Sequence, residues 1–314
     1  MDAITDFKAA MLTAGIIPPD RIIGDGRLHR FYVEGHRRGT LNGAYILHLD
    51  RNPAGWFQDF KSGVSGTWKA SGGKWYMDEA TKRQIEEDRR KRQAEIEEKH
   101  QRKARLARSL WGGAKPCTDH PYLSRKQVQA HGVRVGNWPK WIEEANVWRR
   151  IVIPGVVLVP MQDEHGELWN LQGIFPQIRP ELGRDKDFLG GRKAGLFHVI
   201  GAPSETLLIA EGYATGATVH EATGHQTFVA FDAGNLKAVA MTVRRRHPGQ
   251  RIVICADNDR FTHKPIRNPG VTKAREAALA VGGYVSIPEF PAGVDGTDFN
   301  DLKLAGGSHA RGKL

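Results

Sequence analysis

The chain has 314 residues, 40% hydrophobic and 26% charged, with a formal net charge of +11, which is globular composition with room for two or three modest domains that each bury a core. No apolar run approaches the roughly 20 residues of a membrane-spanning helix, and the opening MDAITDFKAAMLTAG lacks a signal peptide's basic start and apolar stretch, so a cytoplasmic protein without a membrane partner is expected. The basic balance points to a polyanionic partner, nucleic acid first, and the two cysteines, Cys117 and Cys255, form no CxxC pair, so no structural zinc is expected.

Residues 1–77 read as a small β-rich α+β module. ITDFKAAMLTAG has the spacing of a short amphipathic helix, and HRFYVEG and GAYILHLD read as strands. GWFQDFKSG and GTWKASGG read as aromatic, Gly-rich turns. Residues 78–111 contain no Gly or Pro and are packed with Glu, Lys and Arg, many of them paired at i,i+4. With few apolar residues they predict a charged, solvated linker helix. Its basic end, HQRKARLAR, reads as a solvated face before it reads as a nucleic-acid contact.

Residues 112–202 mix a short helical stretch, HPYLSRKQVQAHG, with strands. These are RRIVIPGV, a hairpin turning at DEHG within VLVPMQDEHGELWNLQGIF, and GLFHVIG. From 203 to 304 strands and helices alternate with short loops: TLLIAEG, YATGATVHEATG, HQTFVAFDAG, NLKAVAMTVRRRHPG, QRIVICADND, GVTKAREAALAVGG and YVSIPEF. Such alternation predicts a parallel sheet flanked by helices. Residues 305–314 form a tail.

In parallel α/β sheets, sites form at the carboxyl ends of strands. Glu211 follows LLIA, Asp257 follows IVICA, and Asp259 lies two residues further on. GVDGTDFNDL then adds Asp295, Asp298 and Asp301. Taken singly, each acid is as readily a helix N-cap. Gathered on one rim of a basic chain, the carboxylates repel one another unless a cation sits between them. Hard oxygen ligands suit Mg²⁺ or Mn²⁺, and such a cation engages phosphate oxygens as phosphoryl-transfer chemistry requires.

LIAEGYATG, followed by a strand ending ADND, resembles the Toprim domain of bacterial-type DNA primases, type IA and type II topoisomerases and some nucleases. RRIVIPGVVLVPMQDEHGELWNLQGIF, DKDFLGGRKAGLFHVIG, AFDAGNL, Asn-Pro-Gly at 268–270 and TDFNDL narrow the resemblance, over about 145–304, to the Toprim primases of conjugative plasmids, phages and mobile elements. It implies a Rossmann-like parallel sheet preceded by a mixed α+β basic subdomain. It also implies a nucleotidyltransferase that makes short RNA primers from NTPs on single-stranded DNA, alongside a replicative helicase.

Glu211, Asp257 and Asp259 would be the metal-binding catalytic acids, with Asp298 and Asp301 as the later acidic positions. Arg149, Arg150 and Lys186 would face template or nucleotide phosphates, with Arg192 and Lys193 beside them. Asn235 and Asn258 match the pattern without an assigned role.

One departure is the absence of cysteine from residues 1–77, where many such primases carry a zinc ribbon. Phe31, Tyr32, Trp56, Phe57, Phe60, Trp68 and Trp75 there read either as stacking partners for single-stranded bases or, first, as the core of the module. The chain also has no GxxxxGK[ST] loop and so no ATPase motor of that type. Two other readings remain open. One is a Toprim nuclease using the same acids, against which the basic strand region speaks. The other is a non-catalytic DNA-binding accessory protein, against which the intact acids speak.

Overall fold

The computed structural model describes residues 2–37, 39–49, 53–70, 79–144, 147–180, 182–263 and 266–306. Trp75 and residues 307–314 of the tail lie outside the described residues. Packing divides the chain into two units, Met1–Asp88 with Lys264–Ile266, and Arg89–His263 with Arg267–Leu314.

In the first unit, helix α1 (Ala3–Thr13) starts where the Asp2 carboxylate accepts the backbone N–H groups of Ile4 and Thr5. Its buried face, Phe7 and Met11, packs on an antiparallel sheet ordered β1 (His29–Phe31), β2 (Gly43–His48), β3 (Ala54–Asp59), β4 (Ser65–Lys69). Phe7 meets Tyr45, Phe57 and Trp68 edge-on, with ring centroids 6.1, 5.8 and 5.7 Å away. The two stretches that read as turns are therefore strands. Two of their glycines, Gly55 and Gly66, make room rather than bends: a Cβ on either would run into the ring of Phe7 or Phe57.

Helix α2 (Glu79–Gly112) forms as the charge pattern predicts. Its last third is docked rather than solvated. Ala104 and Ala107 are fully buried, Leu106, Leu110 and Trp111 pack into the same core, and Arg108 donates to the Leu168 carbonyl at 3.1 Å. The alanines carry this seam, and a run dense in Lys and Arg conceals so small an apolar stripe.

In the second unit an antiparallel sheet runs β5 (Lys115–Pro116), β6 (Arg134–Glu144), β7 (Val147–Gln162), β8 (Leu168–Arg179), β9 (Arg184–Phe188). The hairpin turning at DEHG joins β7 to β8 as expected. Helix α3 (Pro121–Lys126) packs Tyr122 and Leu123 on this sheet. The N-terminal half of β7 pairs only with β6, forming a two-stranded arm whose register places Arg150 opposite Trp141 and Arg149 opposite Ile142.

Beyond it stands the alternating region. Strands β11 (Thr206–Ala210), β12 (Gln226–Val229), β13 (Arg251–Cys255) and β14 (Tyr284–Ser286) are parallel, and β10 (His198–Ile200) joins antiparallel at one edge. The spatial order is β10-β12-β11-β13-β14. Helices α5 (Leu236–Arg246) and α6 (Pro269–Val281) cover the face carrying Leu207, Ile209, Ile252 and Ile254. Helices α4 (Tyr213–Thr223) and α7 (Phe299–Leu304) cover the face carrying Leu208, Ala210, Val253 and Cys255. Tyr213, Ala214 and Ala217 of α4 also pack on Val157, Val159 and Met161 of β7, so the two sheets share one core.

This winding fixes where a site can open. The helix after β11 lies on one face and the helix after its neighbour β13 on the other. The chain therefore leaves the two strands in opposite directions, and a crevice opens beyond their carboxyl ends.

Candidate metal and phosphate site

Glu211 is the first residue after β11, and Asp257 lies two residues beyond β13. Both stand at the crevice, with Asp259 following on the loop to α6. The carboxyl groups are close enough to perturb one another. Burial, then the charge of Asp259, raises Glu211 to about 7. Burial, then the charges of Glu211, Asp298 and Asp259, raises Asp257 to about 8. Lys186 is the cation that offsets both.

The loop after β13 is held from several sides. Asp259 Oδ2 accepts the Gly270 N–H at 2.9 Å, inside the first turn of α6. Asn268 caps that helix with left-handed backbone, φ 47°, and its Nδ2 donates to Asn258 Oδ1 at 2.8 Å. Asn258 Nδ2 donates in turn to the Pro288 carbonyl. Asn258 thus fixes the strand between the two aspartates, and the Asn-Pro-Gly at 268–270 is the other half of that fixture.

Of the later acids, Asp298 caps α7 through the Asp301 N–H, and its charge reaches Asp257. Asp301 turns elsewhere, accepting the Thr297 N–H and facing Lys126 at 3.5 Å. Asp295 is exposed on the loop before α7. Asn300, fully buried, ties α7 to the Lys126 carbonyl and to the Thr218 hydroxyl, which accounts for the pattern TDFNDL as a structural clasp.

The basic residues divide. Lys186 owes its position to its neighbour in β9. Asp187 is buried and takes bonds from Trp138 Nε1, Lys140 and Arg184. Strand alternation then sends Lys186 to the opposite side. Arg192 lies over the Trp169 ring at 4.9 Å. Lys193 is bonded to Asp232. Arg149 and Arg150 stand exposed on the β6–β7 arm, Arg149 paired with Glu144 at 2.8 Å.

Asp232 is the site residue the sequence reading missed. It ends the apolar run of β12, on the side of β11 opposite β13, and its charge acts on Glu211. The rule that selects Glu211 and Asp257 selects it equally, since FVAFD is again an oily strand ending in an acid. Phe231 before it is buried with φ 74°, a left-handed conformation that a bulky side chain rarely adopts. Asn235 locks this turn. Its side chain donates to the carbonyls of Leu196 and Ala230 and accepts the Gly195 N–H.

The donor set fits a hard divalent cation. Asp257 Oδ1 is buried without a hydrogen-bond partner, among carboxylates that raise one another's proton affinity. Among the described residues the oxygens do not close into a group of three or more around one point. A cation here would be held by few carboxylates and complete its shell with water and phosphate oxygens, as Mg²⁺ commonly does.

The Toprim domain family matches residues 206–309. A DNA primase TraC from Escherichia coli is 36% identical over 306 residues, covering 92% of this chain and 26% of that protein. A second Escherichia coli DNA primase TraC is 34% identical over 302 residues, covering 91% of this chain and 19% of that protein. The chain thus spans about a quarter of the length of one of these curated relatives and about a fifth of the other. The Escherichia coli primase catalytic core superposes with a TM-score of 0.40 at 14% identity, over 67% of this chain and 77% of that one. No helix among the described residues is long and apolar enough to cross a membrane.

Proposed function

We propose that the chain is a Toprim-domain DNA primase of the plasmid, phage and mobile-element type, a reading supported by the Toprim match over residues 206–309 and the 36% identity to a DNA primase TraC, and that it synthesises short RNA primers on single-stranded DNA by divalent-metal-dependent nucleotidyl transfer. The observation that carries this reading is the orphaned, buried Asp257 Oδ1 beside Glu211 at the switch point of the sheet.

Glu211, Asp257 and Asp259 would hold Mg²⁺ or Mn²⁺, with Asp298 and Asp232 adding negative charge behind them. Such a cation would supply acidification of a 3′-hydroxyl and charge neutralisation at the triphosphate. Lys186 offsets the carboxylates and would pair with a nucleotide phosphate. Arg149 and Arg150 on the arm grip template or nucleotide backbone. Asn258, Asn268 and Gly270 keep the two aspartates in fixed register, so the chain contributes mainly positioning and electrostatics.

The test is incorporation of labelled NTPs on single-stranded templates with Mg²⁺ or Mn²⁺, beside incubation with DNA alone. Asp257→Ala with Asp259→Ala should abolish dinucleotide formation with the fold intact. Wild-type synthesis by that pair sinks the site assignment, and DNA cleavage without NTP incorporation replaces priming by a nuclease.

A further inference from the structure

The sheet of the first unit has two unlike faces. One carries Phe31, Tyr45, Phe57 and Trp68 and is filled by α1. Of the aromatics singled out in this module, Phe31 and Phe57 are thus core, and Trp68 packs against that core. Strand alternation sends the other set to the opposite face. In register across the sheet these are Arg30 beside Ala44, Ile46 beside Trp56, Gln58 beside Ala44, and Trp56 beside Thr67. Lys69 and His48 flank Ala54 on the same side.

That second face combines rings with positive charge. Phe60 is 49% exposed, and its ring lies 6.5 Å from Trp56 and under the Arg30 guanidinium at 4.3 Å. Arg30 and Lys69 are exposed, and neither has a carboxylate partner among the described residues. Of the described acids at this sheet, Asp25 bridges His48 at the edge and is paired with His29 at 2.7 Å. Asp59 turns inward, where it holds Ser62, the Lys61 N–H and His36. An open strand surface with adjacent rings, and with flanking cations that have no carboxylate partner among the described residues, matches the requirements of single-stranded nucleic acid: stacking for the bases and charge for the backbone.

We propose that this face, centred on Trp56 and Phe60 with Arg30 and Lys69 beside them, is a docking surface for single-stranded DNA. It rests on the priming reading only in the choice of DNA over RNA.

Full-length chain is titrated into fluorescein-labelled dT20, and a copy carrying 5-iododeoxyuridine is photocrosslinked and mapped by mass spectrometry. Trp56→Ala with Phe60→Ala should weaken dT20 binding about tenfold or more. Arg30→Gln with Lys69→Gln, both on the surface, should lower the slope of log affinity against log salt by about 1.4, at about 0.7 per cation lost. Crosslinks should fall on Trp56 or Phe60. Unchanged melting temperature in the charge variant keeps the test independent of folding. Asp257→Asn, inactive under the priming reading, should bind dT20 through this face as wild type does, so the two readings fail separately. Wild-type dT20 affinity and salt slope in both double variants overturns the proposal. So does crosslinking confined to other residues, or a U20 RNA that binds this face more tightly than dT20.

Discussion

Gly270 donates its backbone N–H to Asp259 Oδ2 at 2.9 Å, and a Cβ on that glycine would stand 2.3 Å from the Asp257 carbonyl oxygen. The first turn of α6 therefore rests directly on the loop that carries both aspartates. Gly270→Ala must push one backbone against the other, because the nearest atom is the Asp257 backbone carbonyl oxygen. Overpacking of this kind costs about 1–3 kcal/mol, and a misplacement of about 1 Å near reacting groups costs on the order of a hundredfold in rate. Primer synthesis should fall by roughly that factor, with melting lowered by several degrees. Wild-type turnover would show that the loop tolerates the shift and has no positioning role.

Asp257→Asn separates stability from function. The carboxyl group is largely buried, with one oxygen unpartnered among like charges that raise it to about 8, so the metal-free fold must keep a buried charge or take up a proton the unfolded chain does not hold, and either costs stability. The amide keeps the shape and removes the charge. Metal-free chain carrying this substitution should melt higher than wild type, synthesise no primers, and lose the rise in melting temperature that Mg²⁺ or Mn²⁺ gives the wild type. Melting curves with and without metal decide it. An equal metal-induced rise in the variant would remove Asp257 from the ligand set.

His198 sets an acid limit on the fold. Its Nε2–H donates to the His131 carbonyl at 2.7 Å, leaving Nδ1 buried and unpartnered. Burial lowers its pKa to about 4, against the hydrogen bond to the His131 carbonyl, which raises it. The unfolded chain, near 6.5, then binds the proton more tightly than the folded one. Stability from this group is complete above about 6.5 and is lost as the pH falls towards 4, a total near 3 kcal/mol at 1.36 kcal/mol per unit. Urea unfolding at pH 7 and pH 4.5 should show this loss in wild type and a smaller one in His198→Gln. An equal loss in both would place the acid sensitivity elsewhere, for instance at His247, which burial and Arg246 lower in the same direction.

The alternating strands and helices, and the rim at their carboxyl ends, were legible in the sequence because each strand is a short apolar run that stops at a polar residue. The order β12-β11-β13 was not, since nothing local encodes which strands become neighbours, yet that order makes Glu211 and Asp257 adjacent. Strand β6 escaped notice because RVGNWPKWIEE faces solvent along its outer half and lacks an apolar run. Strands β3 and β4 escaped because glycines that accommodate Phe7 and Phe57 resemble turn glycines. For Asp301, which the resemblance set among the later acidic positions, local pattern does not encode its surroundings: its carboxylate accepts the Thr297 N–H and faces Lys126.

Lys193 and Asp232 offer the last test. The sequence reading set Lys193 beside the phosphate-binding residues. The structure bonds it to Asp232, which also caps the turn at Asn235 and whose charge raises Glu211. If Lys193 acts by holding Asp232, the two substitutions are coupled. Lys193→Gln and Asp232→Asn should each lower kcat/KM about tenfold, while the double variant should lose little more than either alone. The corresponding coupling is on the order of 1 kcal/mol, above the 0.3–0.5 kcal/mol within which independent sites add. Lys186→Gln, which removes charge from the phosphate side, should instead raise KM for NTPs and add to the Lys193 effect. Additivity between Lys193 and Asp232, with a raised KM for Lys193→Gln, would return Lys193 to direct phosphate contact.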